Sequence, residues 1–380
     1  MGSEYRDRIL AALIVIVPFF ILWEDTDQGQ IYGLYLGAFV YLAMGILRLN
    51  RLLGLFLLLV AGWFGFWVSS YFVHRVDLSA VLAGIDAILF MTCAAIIYQG
   101  VVESHLEDET FINGICVFAL LQAVLAITQF YFFDPVGSVL KEMVDISYGQ
   151  GSANTPAGTF SNTNYAGAAL GICLPLFFFR ERRWLLGAAV VLYALILTQC
   201  RAAAFAVIVV GAFMVYRAYF FKRTLYRIYG AAFSAVVVAA SYFLVAIRPG
   251  SLVERYNEFW KIPLKIWLGS WHTFIFGVGP GITARANNYL HNEPLVWVWN
   301  FGLLGAVIIM AFIGTTLWKL SRVAGAAMLT CSIVIAVIDM QANHLLHIPV
   351  TGLLMVIIMA LAQRKINSVL PPKTLMARSI

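Results

Sequence analysis

The sequence predicts an all-α fold, a polytopic membrane helical bundle of about twelve transmembrane helices with two longer loops on one side. It reads as one membrane domain over residues 1–380. Two observations carry that prediction. The chain is 62% hydrophobic and only 12% charged, about half the charge of an ordinary soluble domain, and its mean hydropathy is +0.87. Apolar runs of about 20 residues also recur from end to end, each the length that a helix needs to cross a bilayer. The bilayer core offers no water to a bare backbone, so only helices or a closed barrel can cross it. These runs are too long and too uniformly apolar for barrel strands, which alternate over about ten residues.

Taken in order against their charged punctuation, the spans lie near 9–24, 30–47, 52–72, 78–99, 111–133, 163–179, 184–199, 202–220, 228–247, 294–318, 323–340 and 348–363. The first apolar run is followed by "EDTDQGQ" without a small-residue cleavage site, so it reads as a retained helix. The seventh and eighth spans meet at "TQCR", either as two short helices with a tight turn or as one broken pair. With the N-terminus placed in the cytoplasm, 17 of the 25 lysines and arginines fall on the cytoplasmic side, and both termini are cytoplasmic. The formal charge of +6 therefore reflects topology and gives no reason to expect nucleic acid as a partner. Five cysteines sit in or beside apolar runs with no CxxC pair, which reads as small buried thiols without a disulfide framework or zinc site.

Two segments on the opposite side are longer than turns, 134–162 and 248–293. Long connections in a bundle are usually functional or disordered, so any chemistry is expected there. The second contains apolar residues at helical spacing from Leu252 to Trp260, and Pro263 is expected to break that element. With Trp260, Trp267 and Trp271 it reads as a short interfacial helix lying flat on the bundle. Either it only caps the bundle, or it also points Arg255 inward.

Arg201 stands at or just inside the outer boundary between two apolar runs, where an arginine either snorkels or faces the bundle interior and binds a ligand. A guanidinium fork suits phosphate, and Arg201 with Arg255 would hold a pyrophosphate without a metal. The passage "GVGPGITARANNYLHNEPLVW" has neither the spacing of a dinucleotide fingerprint nor the lysine of a P-loop. Its glycines read as a turn over the outer surface. Its His291, just before a new span, is suited to general-base work or is simply a capping residue. His344 and His347 lie three apart, with Asp339 before them, but no catalytic zinc signature surrounds them, and lining of the same outer cavity is the preferred reading. Asp86, alone in the fourth span, is a candidate for interhelical pairing.

The pieces "AGTFSNTNYAGAALGICLPL", "LTQCRAAAFAVIV", "ERYNEFW" and "GVGPGITARANNYLHNEPLVWVWNFGLLG" resemble the O-antigen ligase and O-antigen polymerase superfamily of bacterial membrane glycosyltransferases. They cover roughly residues 157–305, and the first five spans match in hydropathy alone. The resemblance implies an undecaprenyl-pyrophosphate glycan donor used on the periplasmic face of the inner membrane, in an inverting reaction that needs no cofactor or metal. It carries the family's arginines onto Arg201 and Arg255, which would stabilise the leaving pyrophosphate. Its histidine lands on His291, which would orient or deprotonate an acceptor hydroxyl. Asn164, Arg285 and Asn292 fall inside the matching pieces and are expected to bind substrate, together with His344 and His347. The acceptor is lipid A–core for a ligase, the first expectation, or a second lipid-linked glycan for a polymerase. A transporter or flippase is the remote alternative, but it should show related halves and discontinuous helices around a midplane site, and no internal repeat is evident.

Overall fold

The computed structural model describes residues 51–74, 78–132, 156–158, 160, 162–178, 181–182, 184–220, 256–280, 292–341 and 349–369. Among these residues the chain is helical, without strands. The helices are α1 (Arg51–His74), α2 (Leu78–Glu103), α3 (Asp108–Tyr131), α4 (Thr163–Phe178), α5 (Trp184–Leu197) and α6 (Arg201–Phe220). After them come α7 (Lys261–Trp267), α8 (Trp271–Phe276), α9 (Glu293–Leu320), α10 (Ala327–Asp339) and α11 (Pro349–Val369). The nine expected spans that fall on described residues coincide with the nine longer helices to within a few residues. Those near 9–24, 30–47 and 228–247 lie outside the described residues. Among the described residues three helices, Asp108–Tyr131, Glu293–Leu320 and Val350–Val369, are long and apolar enough to cross a membrane.

At the centre stands α4, in which every residue from Tyr165 to Phe177 is buried. It packs against α3, α5, α6, α10 and α11. Its composition explains that position. Ala166, Gly167, Ala168, Ala169 and Gly171 give it a surface of small side chains, which lets neighbouring helices come close. A Cβ on Gly167 would lie 2.3 Å from the Cys200 Cβ, so only glycine admits the α5–α6 turn at this point. Elsewhere the outward faces stay apolar. Leu186, Ile196, Val307 and Met310 are all exposed, as they are on a helix whose solvent is hydrocarbon.

Long helices joined by short connections give the bundle two unlike ends. One end holds the α2–α3, α4–α5 and α9–α10 connections and the end of α11. Its described basic residues are Arg51, Arg182, Arg217, Lys319, Arg322, Arg364 and Lys365. Arg364 dominates the packing there. Its Nη1 donates to the carbonyls of Val101 (3.0 Å) and Ser104 (3.1 Å), and its Nη2 donates to that of Leu106. Its Nε lies 2.7 Å from Asp108 Oδ1, off the N–H axis, so that contact is an ion pair more than an aimed hydrogen bond. One guanidinium thus ties the α2–α3 connection to α11.

The opposite end holds the starts of α4, α6 and α9 and the close of α10. Here α9 is broken. Gly302, at φ 66° and ψ −174°, sits in a backbone region that belongs to glycine, and the helix changes course through it. The carbonyls freed by the break are covered from two directions. Val278 N donates to Trp299 O at 2.6 Å, Trp67 Nε1 donates to Asn300 O, and Trp63 Nε1 donates to Phe301 O at 3.1 Å.

Candidate functional site

Three of the sequence-predicted site residues lie on described residues, and all three stand at this second end. The first corner is built by the starts of α4 and α6. Asn162 Oδ1 accepts from the Asn164 amide at 2.8 Å, which fixes the first turn of α4 and leaves the Asn164 side chain exposed. Between α5 and α6 the chain reverses in three residues, with Gln199 at φ 54°. Thr198 Oγ1 donates to Leu195 O at 2.7 Å and accepts from the Cys200 amide at 3.4 Å. The Cys200 thiol then rests 3.5 Å from the Asn164 carbonyl. "TQCR" is therefore a tight turn between two helices, and it brings Asn164 beside Arg201.

Arg201 is the first residue of α6, and its side chain is exposed. The alternative in which it faces the bundle interior is not what the fold adopts. The small, buried Cys200 and Ala203 occupy the side turned to α4, and a guanidinium has no room there. Its charge instead stands outside the start of a helix, where the α6 amide groups add to the positive potential.

The second corner joins α9 to α10. Asn292 caps α9 through its Oδ1, which accepts from Leu295 N at 3.0 Å, while its Nδ2 donates to Gln341 O at 2.6 Å. The next amide, Glu293 N, donates to Met340 O at 2.9 Å. The Asn292 side chain thus staples the start of α9 to the close of α10 through both of its polar atoms. Glu293 is fully buried, and its Oε1 accepts from Trp297 Nε1 at 2.8 Å. Asp339, in the last turn of α10, is equally buried at the same corner. α10 packs against both α4 and α6, with Ile335, four residues before Asp339, facing Gly171 of α4 beside Ala203 of α6.

The third element is the glycine passage. The break expected at Pro263 falls earlier: a wide π turn over Tyr256–Trp260 leads into α7. Pro263 lies in that helix's first turn, where a missing N–H has no intrahelical bond to lose. α8 packs along α9 and reaches α1, with Phe276 stacked on Phe66 at 3.9 Å between ring centroids. The glycines that follow do not turn over the outer surface. Gly277 (φ 85°) and Gly279 (φ 94°) are buried, the first against Asn300 and Gly302 and the second against Trp67. A Cβ on Gly302 would lie 2.1 Å from Ile275 O, so Gly277 and Gly302 are glycines because two backbones cross there. The seam between α7 and α9, lined by Pro263, Leu264, Trp267, Leu295, Val298 and Trp299, encloses only about 10 Å³. That is room for about one water.

A second clasp holds the chain ahead of α4. Gln129 Nε2 donates to Gly158 O at 2.7 Å, and Gly158 N donates to Gln129 Oε1 at 2.8 Å. His291, Arg255, Arg285, His344 and His347 lie outside the described residues. Asp86 falls within α2. All five cysteines are buried and free of disulfides. Among the described residues no three His, Cys, Asp or Glu side chains are grouped as metal ligands are.

Sequence reasoning missed Glu293, Gln129 and the two indoles that cover the broken helix. An acid at a helix start reads as dipole complement, so nothing in "HNEP" marks Glu293 as buried. Gln129 carried a signal, being a polar residue near the end of an apolar run. No family model matches the chain, and no curated protein matches it.

Proposed function

We propose that this chain is an inner-membrane glycosyltransferase of the O-antigen ligase and polymerase kind. It moves a glycan from undecaprenyl pyrophosphate to a hydroxyl acceptor on the periplasmic face, with lipid A–core as the first acceptor. One observation carries the reading. The starts of α4 and α6 meet at the Asn164–Cys200 contact, α10 packs against both helices with Ile335 facing Gly171 beside Ala203, and the start of α9 is pinned to the close of α10. Each of α4, α6 and α9 begins inside a sequence piece that bears the resemblance. Arg201 supports the leaving-group role because its guanidinium is exposed and can be reached by a pyrophosphate arriving in the leaflet. Arg255 supplies the second fork. His291 takes the proton of the acceptor hydroxyl, whose oxygen attacks the anomeric carbon. The bond from that carbon to the pyrophosphate oxygen breaks, and the arginines hold the charge that develops.

The crowding of described basic residues at the other end supports a cytoplasmic assignment for that end and a periplasmic one for the site. The twelve-span count and cytoplasmic termini belong to the same proposal. A polymerase with a second lipid-linked glycan as acceptor is the runner-up. A transporter reading gains from one feature, the discontinuous α9, since such helices often coordinate ions through freed carbonyls. It loses the advantage because those carbonyls already accept from Val278, Trp67 and Trp63.

The test is incubation of the purified protein with an undecaprenyl-pyrophosphate glycan and each acceptor. Capped lipid A–core identifies a ligase, a lengthening lipid-linked ladder identifies a polymerase, and no transfer to either sinks the proposal. His291→Ala should abolish transfer, and Arg201→Lys, which keeps the charge and loses the fork, should lower turnover by at least about tenfold.

A further inference from the structure

The outer face of α7 is chemically unlike the rest of its end of the bundle. Lys261 and Lys265 are one helical turn apart, so they share a face, and both are exposed. Neither forms an ion pair among the described residues. Around them Ile262 is 56% exposed, Leu268 61% and Trp271 71%. The other face of the helix is used: Pro263 is buried, and Leu264 and Trp267 lie against Leu295 and Trp299 in the first two turns of α9. That contact fixes the depth of α7 at the level where α9 begins. Arg201 is the other described basic residue at this end, so the paired lysines stand out on the side of the bundle where positive charge is scarce.

We propose that this face, Lys261 and Lys265 flanked by Ile262, Leu268 and Trp271, docks the phosphate of an anionic phospholipid headgroup in the surrounding leaflet. Charge complementarity names the occupant. Two lysines whose Cβ atoms lie about 6 Å apart can both bring their ammonium groups to one phosphate, whereas a choline headgroup brings its own cation against them. The apolar residues and the indole of Trp271 fit the boundary between headgroup and acyl chain, where tryptophan concentrates. A protein partner fits less well, because lysine is depleted from protein interfaces. The inference stands whether or not the chain transfers glycans.

The experiment uses the full chain in phosphatidylcholine vesicles, with brominated phosphatidylglycerol or brominated phosphatidylcholine titrated in. The readout is the part of tryptophan quenching that Trp271→Phe removes. Wild type should reach half-quenching at a much lower mole fraction of the anionic lipid than of the neutral one. Each lysine near a membrane surface gives about a fivefold preference, so the pair gives roughly 25-fold. Lys261→Gln with Lys265→Gln should erase the difference, while the double arginine variant should retain it. Equal quenching by both lipids in wild type overturns the proposal, as does a preference that survives the double glutamine variant. Abolition by inorganic phosphate in the buffer would assign the face to a soluble phosphate and overturn it too.

Discussion

At one end of the bundle Arg364 gathers the carbonyls of Val101, Ser104 and Leu106 onto a single guanidinium. At the other, the carbonyls of Trp299, Asn300 and Phe301 each receive a separate neutral donor, a backbone amide or an indole. Both regions are interruptions of helix in an apolar setting, and both leave three acceptors to be satisfied. The difference lies in what holds them together. The Arg364 clamp is electrostatic, partly exposed (17% for the arginine side chain, 37% for Asp108), and built from one residue. The crossing of Gly277 and Gly302 is steric, buried and shared among four segments of chain. A charge can be approximated by another charge. A missing Cβ has no substitute.

The sharpest way to break this comparison is Gly302→Ala. The new methyl would meet Ile275 O at 2.1 Å in a backbone region that costs non-glycine residues about 1–3 kcal/mol before any clash is counted. The expected result is loss of monodisperse protein on size-exclusion chromatography in detergent. A variant that elutes and melts like wild type would show that the backbones do not cross. Arg364→Met comes next. It removes three carbonyl hydrogen bonds and orphans Asp108, for a loss of about 3 kcal/mol in detergent thermal unfolding. Arg364→Lys should recover part of that loss, because one ammonium cannot reach three carbonyls in a fork. High salt should weaken the Asp108 contact more than the carbonyl bonds, since that partner is the exposed one. The mildest change is Trp67→Phe, which keeps the aromatic contact with Phe301 and removes only the donor to Asn300 O. About 1 kcal/mol is expected there. A loss as large as that of Gly302→Ala would mean that the indoles, not the glycines, hold the break together.

The nine longer helices were legible because a run of apolar residues bounded by charge is a local signal, and each helix obeys it. The tight turn at "TQCR" was legible as one of two options, and Gln199 with Cys200 decides between them. The glycine crossing was not legible. "GVGPG" has the composition of a surface turn, and what makes it a buried crossing is Gly302, which meets it only through the tertiary fold. Arg364 reads in the sequence only as a charge that bounds an apolar run, because its acceptors lie some 260 residues earlier in the chain. Asn292 was legible in part: asparagine ahead of a proline-led helix start reads as a cap, whereas its bond to Gln341 depends on the tertiary fold.

The crossing also closes a circuit. The chain leaves a fixed point at Gly277–Gly279, and it is pinned again at Asn292 and Glu293 before α9 runs back down to the same glycine contact. Residues 281–291, with Arg285 and His291 among them, are strung between two anchors that do not depend on their length. The entropy of joining fixed ends grows only with the logarithm of the connection, about 0.6 kcal/mol for each doubling. Residues can be added to or removed from this stretch while the helices keep their packing. The same bundle can therefore join Pro280 to Asn292 through sequences of different length without being rebuilt.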